Sequence, residues 1–159
     1  MKTYARILVP HDGSKHSDSA LKNAAKIAKA SGANIVLFNV IEELAIRAMF
    51  ERPKIRSSKT GEVIPMEKYF KELYQDMKNS VAKSLHEKKV EYQKLGVSIE
   101  VKVVVGRPSD KIVECAQEET VDLIVMGTAG LGSIFKVAVF GSVARKVSED
   151  ISCPVILVR

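Results

Sequence analysis

The amino-acid sequence predicts a doubly wound α/β fold, with a five-stranded parallel sheet in the order 3-2-1-4-5 and helices on both of its faces. Two observations predict it. Five short apolar runs rich in β-branched residues recur along the chain, and amphipathic segments alternate with them. Continuous apolar runs are typical of strands buried on both faces. Strict β-α-β alternation leads to a parallel sheet joined by right-handed crossovers.

The predicted strands are short and apolar throughout. They cover residues 4–9, 33–40, 98–105, 122–126 and 154–158. Four helices are predicted between them, over residues 17–31, residues 66–95, a segment that begins at residue 108, and residues 142–151. Gly32 and Gly96 are placed to end the first two helices, and Pro108 to begin the third.

Apolar residues in the predicted helices recur at the three- and four-residue spacing that gives a helix one buried face. These faces comprise Leu21, Ala24, Ala25 and Ala28 in the first helix, Phe70, Leu73, Met77, Val81 and Leu85 in the second, and Ile112, Val113 and Ala116 in the third.

Length and composition predict one soluble domain that spans residues 1–159, since the chain is 46% hydrophobic. No apolar run approaches the roughly 20 residues that a membrane helix requires. The N-terminus leads directly into a strand without a signal-peptide core. Cys115 and Cys153 lie in no CxxC pattern, which favours core thiols in a reducing compartment. We therefore expect a cytoplasmic protein.

The chain carries 25 Lys and Arg against 19 Asp and Glu, a net charge of +6 that favours an anionic ligand or partner. Nucleic-acid-binding proteins usually add aromatic residues to a basic stripe, whereas this chain is 6% aromatic and has no Trp. A nucleotide is therefore favoured over nucleic acid. Residues 42–65 form a basic insertion, longer than most connections between elements, and such segments are usually functional or disordered.

Polar and glycine residues follow two of the predicted strands. Pro10, His11 and Asp12 come directly after the first strand, and Gly127 follows the end of the fourth strand at Met126. In the order 3-2-1-4-5 these strands are neighbours and the winding reverses between them, which is where doubly wound sheets bind ligands. The sequence therefore predicts one binding crevice at their carboxyl ends.

A glycine-rich loop leads from the fourth strand to the last helix. Gly127 and Gly130 are predicted to permit positive φ and close approach of a ligand to the backbone. Gly141 and Ser142 open a helix whose unpaired N–H groups favour an anion. Taken singly, Asp12 and Ser142 fit equally well as helix N-caps and the glycines as turn residues. Their joint placement at one crevice predicts phosphate binding.

These residues resemble the universal stress protein family, and the resemblance covers essentially the whole chain. Members that bind ATP carry the pattern G-x2-G-x9-G-[ST] after the fourth strand. Gly127 and Gly130 match it, but ten residues rather than nine separate Gly130 from Gly141. The extra residue either forms a bulge at residues 131–133 or displaces the amides that hold phosphate. Intact strand and helix signals on both sides favour the bulge.

The resemblance implies that the protein binds ATP, with Mg²⁺ held mostly by phosphate oxygens and water. The residues it implies as contacts of the adenine and ribose are Pro10, Asp12, Val40 and Met126. Those it implies as contacts of the phosphates are Gly127, Gly130, Gly141, Ser142 and Val143.

The resemblance also implies a homodimer formed through the C-terminal strand. That strand lies at an edge of the predicted sheet, and pairing with a second copy would cover it by two-fold symmetry. The alternative is an edge shielded by helices and by Arg159.

Few residues indicate catalysis. His11, His16 and His86 show no metal-ligand spacing, a Walker A sequence is absent, and Ser14 lacks a G-x-S-x-G elbow. We therefore predict a binding protein and not an enzyme, with any ATP hydrolysis slow or assisted by a partner. The resemblance implies a nucleotide-dependent switch or stress-response regulator that acts on a protein partner.

Two alternatives remain. One is a dimeric interaction scaffold of the same fold that binds no nucleotide, which the extra loop residue favours. The other is an adenylating enzyme. Such enzymes carry an S-G-G-x-D-S loop after the first strand, and residues 10–14 of this chain do not match it.

Overall fold

The computed structural model describes residues 4–42, 56–63, 67–129 and 140–159, and of residues 67–70 it describes the backbone alone. The strands are β1 (Arg6–Pro10), β2 (Asn34–Glu42), β3 (Ser98–Gly106), β4 (Leu123–Gly127) and β5 (Val155–Val158). The helices are α1 (Lys15–Ser31), α2 (Glu67–Lys94), α3 (Pro108–Glu118) and α4 (Ser142–Asp150).

The five strands form one parallel sheet in the order β3-β2-β1-β4-β5. This confirms the predicted fold class and strand order. The observed elements also agree with the predicted ones to within a few residues at each end. The apolar runs and the helical spacing in the sequence therefore predict the architecture.

Alternate residues of the strands face two separate cores. Ile7, Val9, Ile35, Leu37 and Val125 lie in the core under α1 and α2. The other core, under α3 and α4, contains residues of the opposite parity, which are Leu8, Val36, Phe38, Ile124 and Met126. Both faces of the sheet are thus covered, as a parallel sheet requires.

The predicted buried faces of α1 and α3 are confirmed. In α1, Leu21, Ala24, Ala25 and Ala28 are all buried, and the helix stops before Gly32. In α3, Pro108 occupies the first turn, Ile112 and Ala116 are buried, and Val113 packs at the edge of the core.

The predicted apolar stripe of α2 is only partly buried. Leu85 is 2% exposed and Val81 packs beside it, whereas Leu73 is 40% exposed. The prediction of a continuous buried face is therefore wrong at Leu73, and the side chain of Phe70 lies outside the described residues. The reason is length, since 28 helical residues span about 42 Å and the nine residues of β3 only about 30 Å.

Residues 56–63 are the part of the predicted basic insertion that the structure describes. They form a turn closed by an antiparallel bridge between Arg56 and Val63. The remaining insertion residues, 43–55 and 64–65, lie outside the described residues. Within the described part of the chain, no helix has the length and apolar character needed to cross a membrane.

Candidate functional site

The carboxyl ends of β1 and β4 lie side by side at one edge of the sheet. Ile7 is opposite Leu123 and Leu8 is opposite Ile124 in parallel register, so both strands run to the same edge. β1 ends there at Pro10 and β4 at Gly127. The predicted juxtaposition of these two strand ends is therefore confirmed.

Four of the predicted contact residues lie on the α3 and α4 side of this edge. Val40, Met126 and Val143 belong to the same apolar cluster. Pro10 follows Leu8 by two positions, and alternate strand residues share a face. Met126 is 4% exposed and is chiefly a core residue, whereas Pro10, Val40 and Val143 are half-buried.

The turn after β1 is held by its own side chains. The Asp12 carboxylate accepts a hydrogen bond from the backbone N–H of Ser14 at 3.0 Å. The Ser14 hydroxyl oxygen then caps α1 by accepting from the backbone N–H of Ser17 at 3.1 Å. Gly13 has a φ of +86°, the left-handed conformation that this turn requires. Asp12 remains exposed to solvent in this arrangement.

His11 lies beneath this turn and is 3% exposed. Its Nδ1 accepts a hydrogen bond from the backbone N–H of Gly13 at 3.2 Å, and its Nε2 lies 2.9 Å from Asp18 Oδ1. Since a backbone N–H can only donate, Nδ1 is the unprotonated nitrogen and Nε2–H donates to Asp18. Burial lowers the pKa of His11, and the hydrogen bond to Asp18 opposes this effect without reversing it.

Asp18 connects His11 to helix α2. The Lys88 ammonium donates to the same oxygen, Asp18 Oδ1, at 2.6 Å. Partial burial acts to raise the pKa of Asp18, but the hydrogen bonds from Lys88 and His11 outweigh it and leave the pKa lowered. On the other side of His11, the Asn39 side-chain amide of β2 donates to the His11 carbonyl at 2.7 Å.

Gly127 has a structural role in addition to the predicted one. It is not among the glycines with positive φ, so the conformational freedom that glycine permits is not used there. A Cβ at Gly127 would lie 2.8 Å from the Cβ of His16 and 2.9 Å from its carbonyl carbon. The residue is therefore a glycine because the end of β4 packs directly against the first turn of α1.

Helix α4 begins without a side-chain cap. Its N-cap is Gly141, which has no side chain that could accept a hydrogen bond from the first amides of the helix. The Gly141 N–H donates to the Thr128 carbonyl at 2.6 Å, which fixes the start of α4 beside the end of β4. The next three amides, those of Ser142, Val143 and Ala144, have no acceptor within the helix, and the Arg145 N–H is the first to bond within it, to the Gly141 carbonyl. Gly130, the remaining predicted phosphate contact, lies outside the described residues.

Sequence reasoning missed three contributors to this site. His11 was placed at the end of the first strand and weighed as a metal ligand, but its hydrogen-bond partners Asp18 and Lys88 lie seven and 77 residues away in the chain. The carbonyl of Thr128 carries no sequence signal at all. Asn39, a polar residue inside an otherwise apolar strand, is the one signal in the sequence that could have indicated a buried polar contact.

Comparison with known proteins identifies one family. The model of the universal stress protein family matches residues 3–159. The chain is 33% identical over 156 residues to universal stress protein YxiE of Bacillus subtilis, covering 98% of this chain and 99% of that one. It is 30% identical over 160 residues to universal stress protein MJ0577 of Methanocaldococcus jannaschii, covering 98% and 95% of the two chains.

Solved structures show the same fold. The structure of MJ0577 superposes with a TM-score of 0.79 at 27% identity, covering 99% of this chain and 96% of that chain. A universal stress protein from Archaeoglobus fulgidus in complex with dAMP superposes with a TM-score of 0.59 at 23% identity, covering 99% and 100%.

Proposed function

The chain belongs to the universal stress protein family, and we propose that it binds ATP and acts as a nucleotide-dependent switch or stress-response regulator. One observation carries this proposal: the uncapped start of α4 lies beside the end of β4, next to the polar turn that ends β1. A row of unpaired amides at a helix N-terminus favours a phosphate group. The dAMP complex of the Archaeoglobus relative supports an adenine nucleotide as the ligand.

In the proposed complex, phosphates are held by the backbone at the end of β4 and the start of α4. The amides of Ser142 and Val143 are the donors there, with Gly127 and Gly130 contributing backbone on the strand side. The Gly141 N–H already donates to the Thr128 carbonyl. Gly141 would therefore let a phosphate come close to the backbone, but it would not donate a hydrogen bond to it.

The nucleoside is placed on the β1 and β2 side of the crevice. Pro10, Val40 and the edge of Met126 offer apolar surface to the adenine. Asp12 is exposed at the same edge and is placed to accept hydrogen bonds from the ribose or the base. Such a mixture of apolar walls and a few polar groups is typical of small-molecule sites.

Mg²⁺ is expected to enter with the nucleotide. No group of three or more His, Cys, Asp or Glu among the described residues could hold a metal ion. Magnesium keeps much of its hydration and is commonly held by substrate phosphates. We therefore assign its ligands chiefly to phosphate oxygens and water, and expect ATP hydrolysis to be slow at most.

We further propose a cytoplasmic homodimer built from one domain per chain, with β5 as the interface. In the described residues β5 pairs with β4 along one edge only, and Ile156 is 38% exposed on it. An uncovered apolar edge strand favours pairing with a second copy. Nucleotide occupancy would then change the surface that this dimer offers to a protein partner.

Thermal unfolding tests the nucleotide site. The midpoint is measured with and without millimolar Mg-ATP, with AMP and pyrophosphate as controls for the two halves of the ligand. A ligand at 100 times its Kd adds about 2.7 kcal/mol to the stability, which corresponds to roughly 5 to 10 °C for a chain of this size. We expect such a shift with ATP and a smaller one with AMP.

The same experiment discriminates the second candidate, an interaction scaffold that binds no nucleotide. The bond from the Gly141 amide to Thr128 favours this candidate, because it removes one donor from the proposed phosphate site. The ten-residue spacing between Gly130 and Gly141 favours it too. Absence of a shift with ATP, ADP and AMP, in protein purified free of nucleotide, would make the scaffold the better account.

A further inference from the structure

His11 connects the proposed nucleotide site to helix α2 through a chain of three hydrogen bonds. The Gly13 N–H donates to His11 Nδ1, His11 Nε2–H donates to Asp18, and Lys88 of α2 donates to the same Asp18 oxygen. Asp18 and Lys88 also line a groove between α1 and α2 at the protein surface. The buried ring thus lies between the Asp12 turn and a solvent-accessible ion pair.

The bond from Gly13 depends on the protonation state of the ring. Neutral His11 presents a lone pair at Nδ1, which is what the Gly13 N–H requires. Protonation places a second N–H at that nitrogen, so two donors would face each other across 3.2 Å. The hydrogen bond from Gly13 is then lost, while the bond from Nε2 to Asp18 becomes charge-assisted and stronger.

Loss of that bond acts on Asp12 through the backbone. Gly13 lies between Asp12 and Ser14, and the Asp12 carboxylate is held by the Ser14 N–H at 3.0 Å. Release of Gly13 removes one of the restraints that set the position of this carboxylate. An exposed group held less firmly has to be ordered when ligand binds, which lowers affinity.

We propose that His11 is a positioning residue for the nucleotide, and that protonation of its ring releases the Asp12 turn and weakens nucleotide binding. This inference rests on the proposed nucleotide site. The charged groups that face the ring are Asp12 from its own turn, Asp18 from α1 and Lys88 from α2. The nearest polar side chain of β2, Asn39, is uncharged and contacts the His11 carbonyl.

Two variants separate positioning from folding. In His11→Asn, the amide oxygen can replace Nδ1 as the acceptor for Gly13, but the side chain does not titrate. In His11→Leu the acceptor is absent at every pH. The loss of one ordinary hydrogen bond corresponds to about a two- to tenfold loss of affinity. Thermal unfolding of each variant establishes that it is folded before affinity is compared.

The test is a calorimetric titration of Mg-ATP into the full chain and into both variants between pH 8 and pH 5. At pH 8 we expect His11→Asn to bind within about threefold of the unsubstituted chain and His11→Leu to bind more weakly. Below the His11 pKa, affinity of the unsubstituted chain should fall relative to His11→Asn and approach the roughly two- to tenfold loss expected for His11→Leu. Protonation of ATP itself, with a phosphate pKa of about 6, affects both proteins equally.

Binding with the same pH dependence in the unsubstituted chain and His11→Asn would overturn the role of His11 and leave the nucleotide site standing. Absence of binding by the folded chain at pH 8 would instead overturn the proposed function, and this inference with it. NMR provides a readout without nucleotide: the Gly13 amide shift should titrate together with the His11 ring. A Gly13 amide that does not follow the ring would contradict the hydrogen-bond chain.

Discussion

The helices that follow β1 and β4 begin at the same edge of the sheet but in opposite ways. Helix α1 is capped by the Ser14 hydroxyl, and the turn before it is closed by Asp12 and His11. Helix α4 begins at Gly141 and has no side-chain cap. The polar groups at the first helix start satisfy one another, whereas among the described residues no side chain caps the second, and we propose its Ser142 and Val143 amides as phosphate donors. This contrast explains why we assign the phosphates to α4 and the nucleoside to the turn after β1.

The largest expected effect comes from Gly127, where the end of β4 packs against the first turn of α1. In Gly127→Ala the new Cβ would lie 2.8 Å from the Cβ of His16 and 2.9 Å from its carbonyl carbon, so α1 must move away from β4. We expect a loss of about 3 kcal/mol in the free energy of unfolding, measured by urea denaturation.

Gly141→Ala is the matched control for that variant. Its φ of −65° suits alanine, and the added methyl would lie 3.3 Å from the Thr128 carbonyl oxygen. We expect a loss below about 1 kcal/mol. Equal losses at Gly127 and Gly141 would contradict the close packing of β4 on α1.

The next largest effect is expected from Ser142→Pro, which removes one backbone N–H from the start of α4 without breaking the helix. Ser142 is the first helical position, where proline is well tolerated, and Gly141 already has the extended ψ of 158° that a following proline requires. We therefore expect Ser142→Pro to fold normally and to bind Mg-ATP about ten- to a hundredfold more weakly, because a hydrogen bond to a charged group is lost.

Ser142→Ala is the control, since it removes the hydroxyl and keeps the amide. Its affinity, measured by the same titration calorimetry, should stay within a few-fold of the unsubstituted chain. A Ser142→Pro variant that binds as tightly as Ser142→Ala would show that the α4 amide is not a phosphate ligand.

A smaller effect is expected at the capped helix. Ser14→Ala removes the acceptor for the Ser17 amide at the start of α1, which should lower the free energy of unfolding by about 1 kcal/mol. Nucleotide affinity at pH 8 should change little, because the cap serves α1 and not the ligand. Chemical denaturation and titration calorimetry on the same preparation check both parts. A large loss of nucleotide affinity in Ser14→Ala with unchanged stability would indicate that the start of α1, and not that of α4, binds the phosphates.

The smallest effect concerns pH. The pKa of His11 is lowered from its ordinary value of 6.5 because the neutral ring is buried, so the unfolded chain binds the proton first as the pH falls. The contribution of the neutral His11 ring to the free energy of unfolding is therefore complete above about pH 6.5. It decreases as the pH falls from there toward the lowered pKa of the folded state. The free energy of unfolding, measured by urea denaturation, should decrease less between pH 7.5 and pH 5.5 in His11→Asn than in the unsubstituted chain.

Much of the fold could be predicted because it depends on patterns local to each element. The apolar run of β4 and the helical spacing of Leu21, Ala24 and Ala28 are sufficient to identify a buried strand and a one-sided helix. β1 and β4 could be predicted to be adjacent because right-handed crossovers in a doubly wound sheet place these two strands side by side. The exposed part of α2 at Leu73 did not follow, since a periodic pattern carries no information about how far the sheet extends beneath it.

The site was less predictable because its contacts join residues that are distant in the chain. Gly127 was expected to permit positive φ and close approach of a ligand, and the structure adds a reason for glycine there, because His16 packs against it. The role of His11 depends on Lys88, which lies on another helix. The amide of Gly141 was counted as a phosphate donor, whereas tertiary structure pairs it with Thr128. Each of these facts depends on a distance between elements, which spacing within one motif does not encode.

The most direct test of the contrast between the two helix starts is amide NMR of the isotope-labelled chain, titrated with Mg-ATP and separately with adenosine. We expect the Ser142 and Val143 amides to shift with Mg-ATP but not with adenosine. The amide of Ser17, bonded to the Ser14 cap, should shift little with either ligand. Binding of Mg-ATP that leaves the Ser142 and Val143 amides unmoved would contradict the assignment of the phosphates to α4.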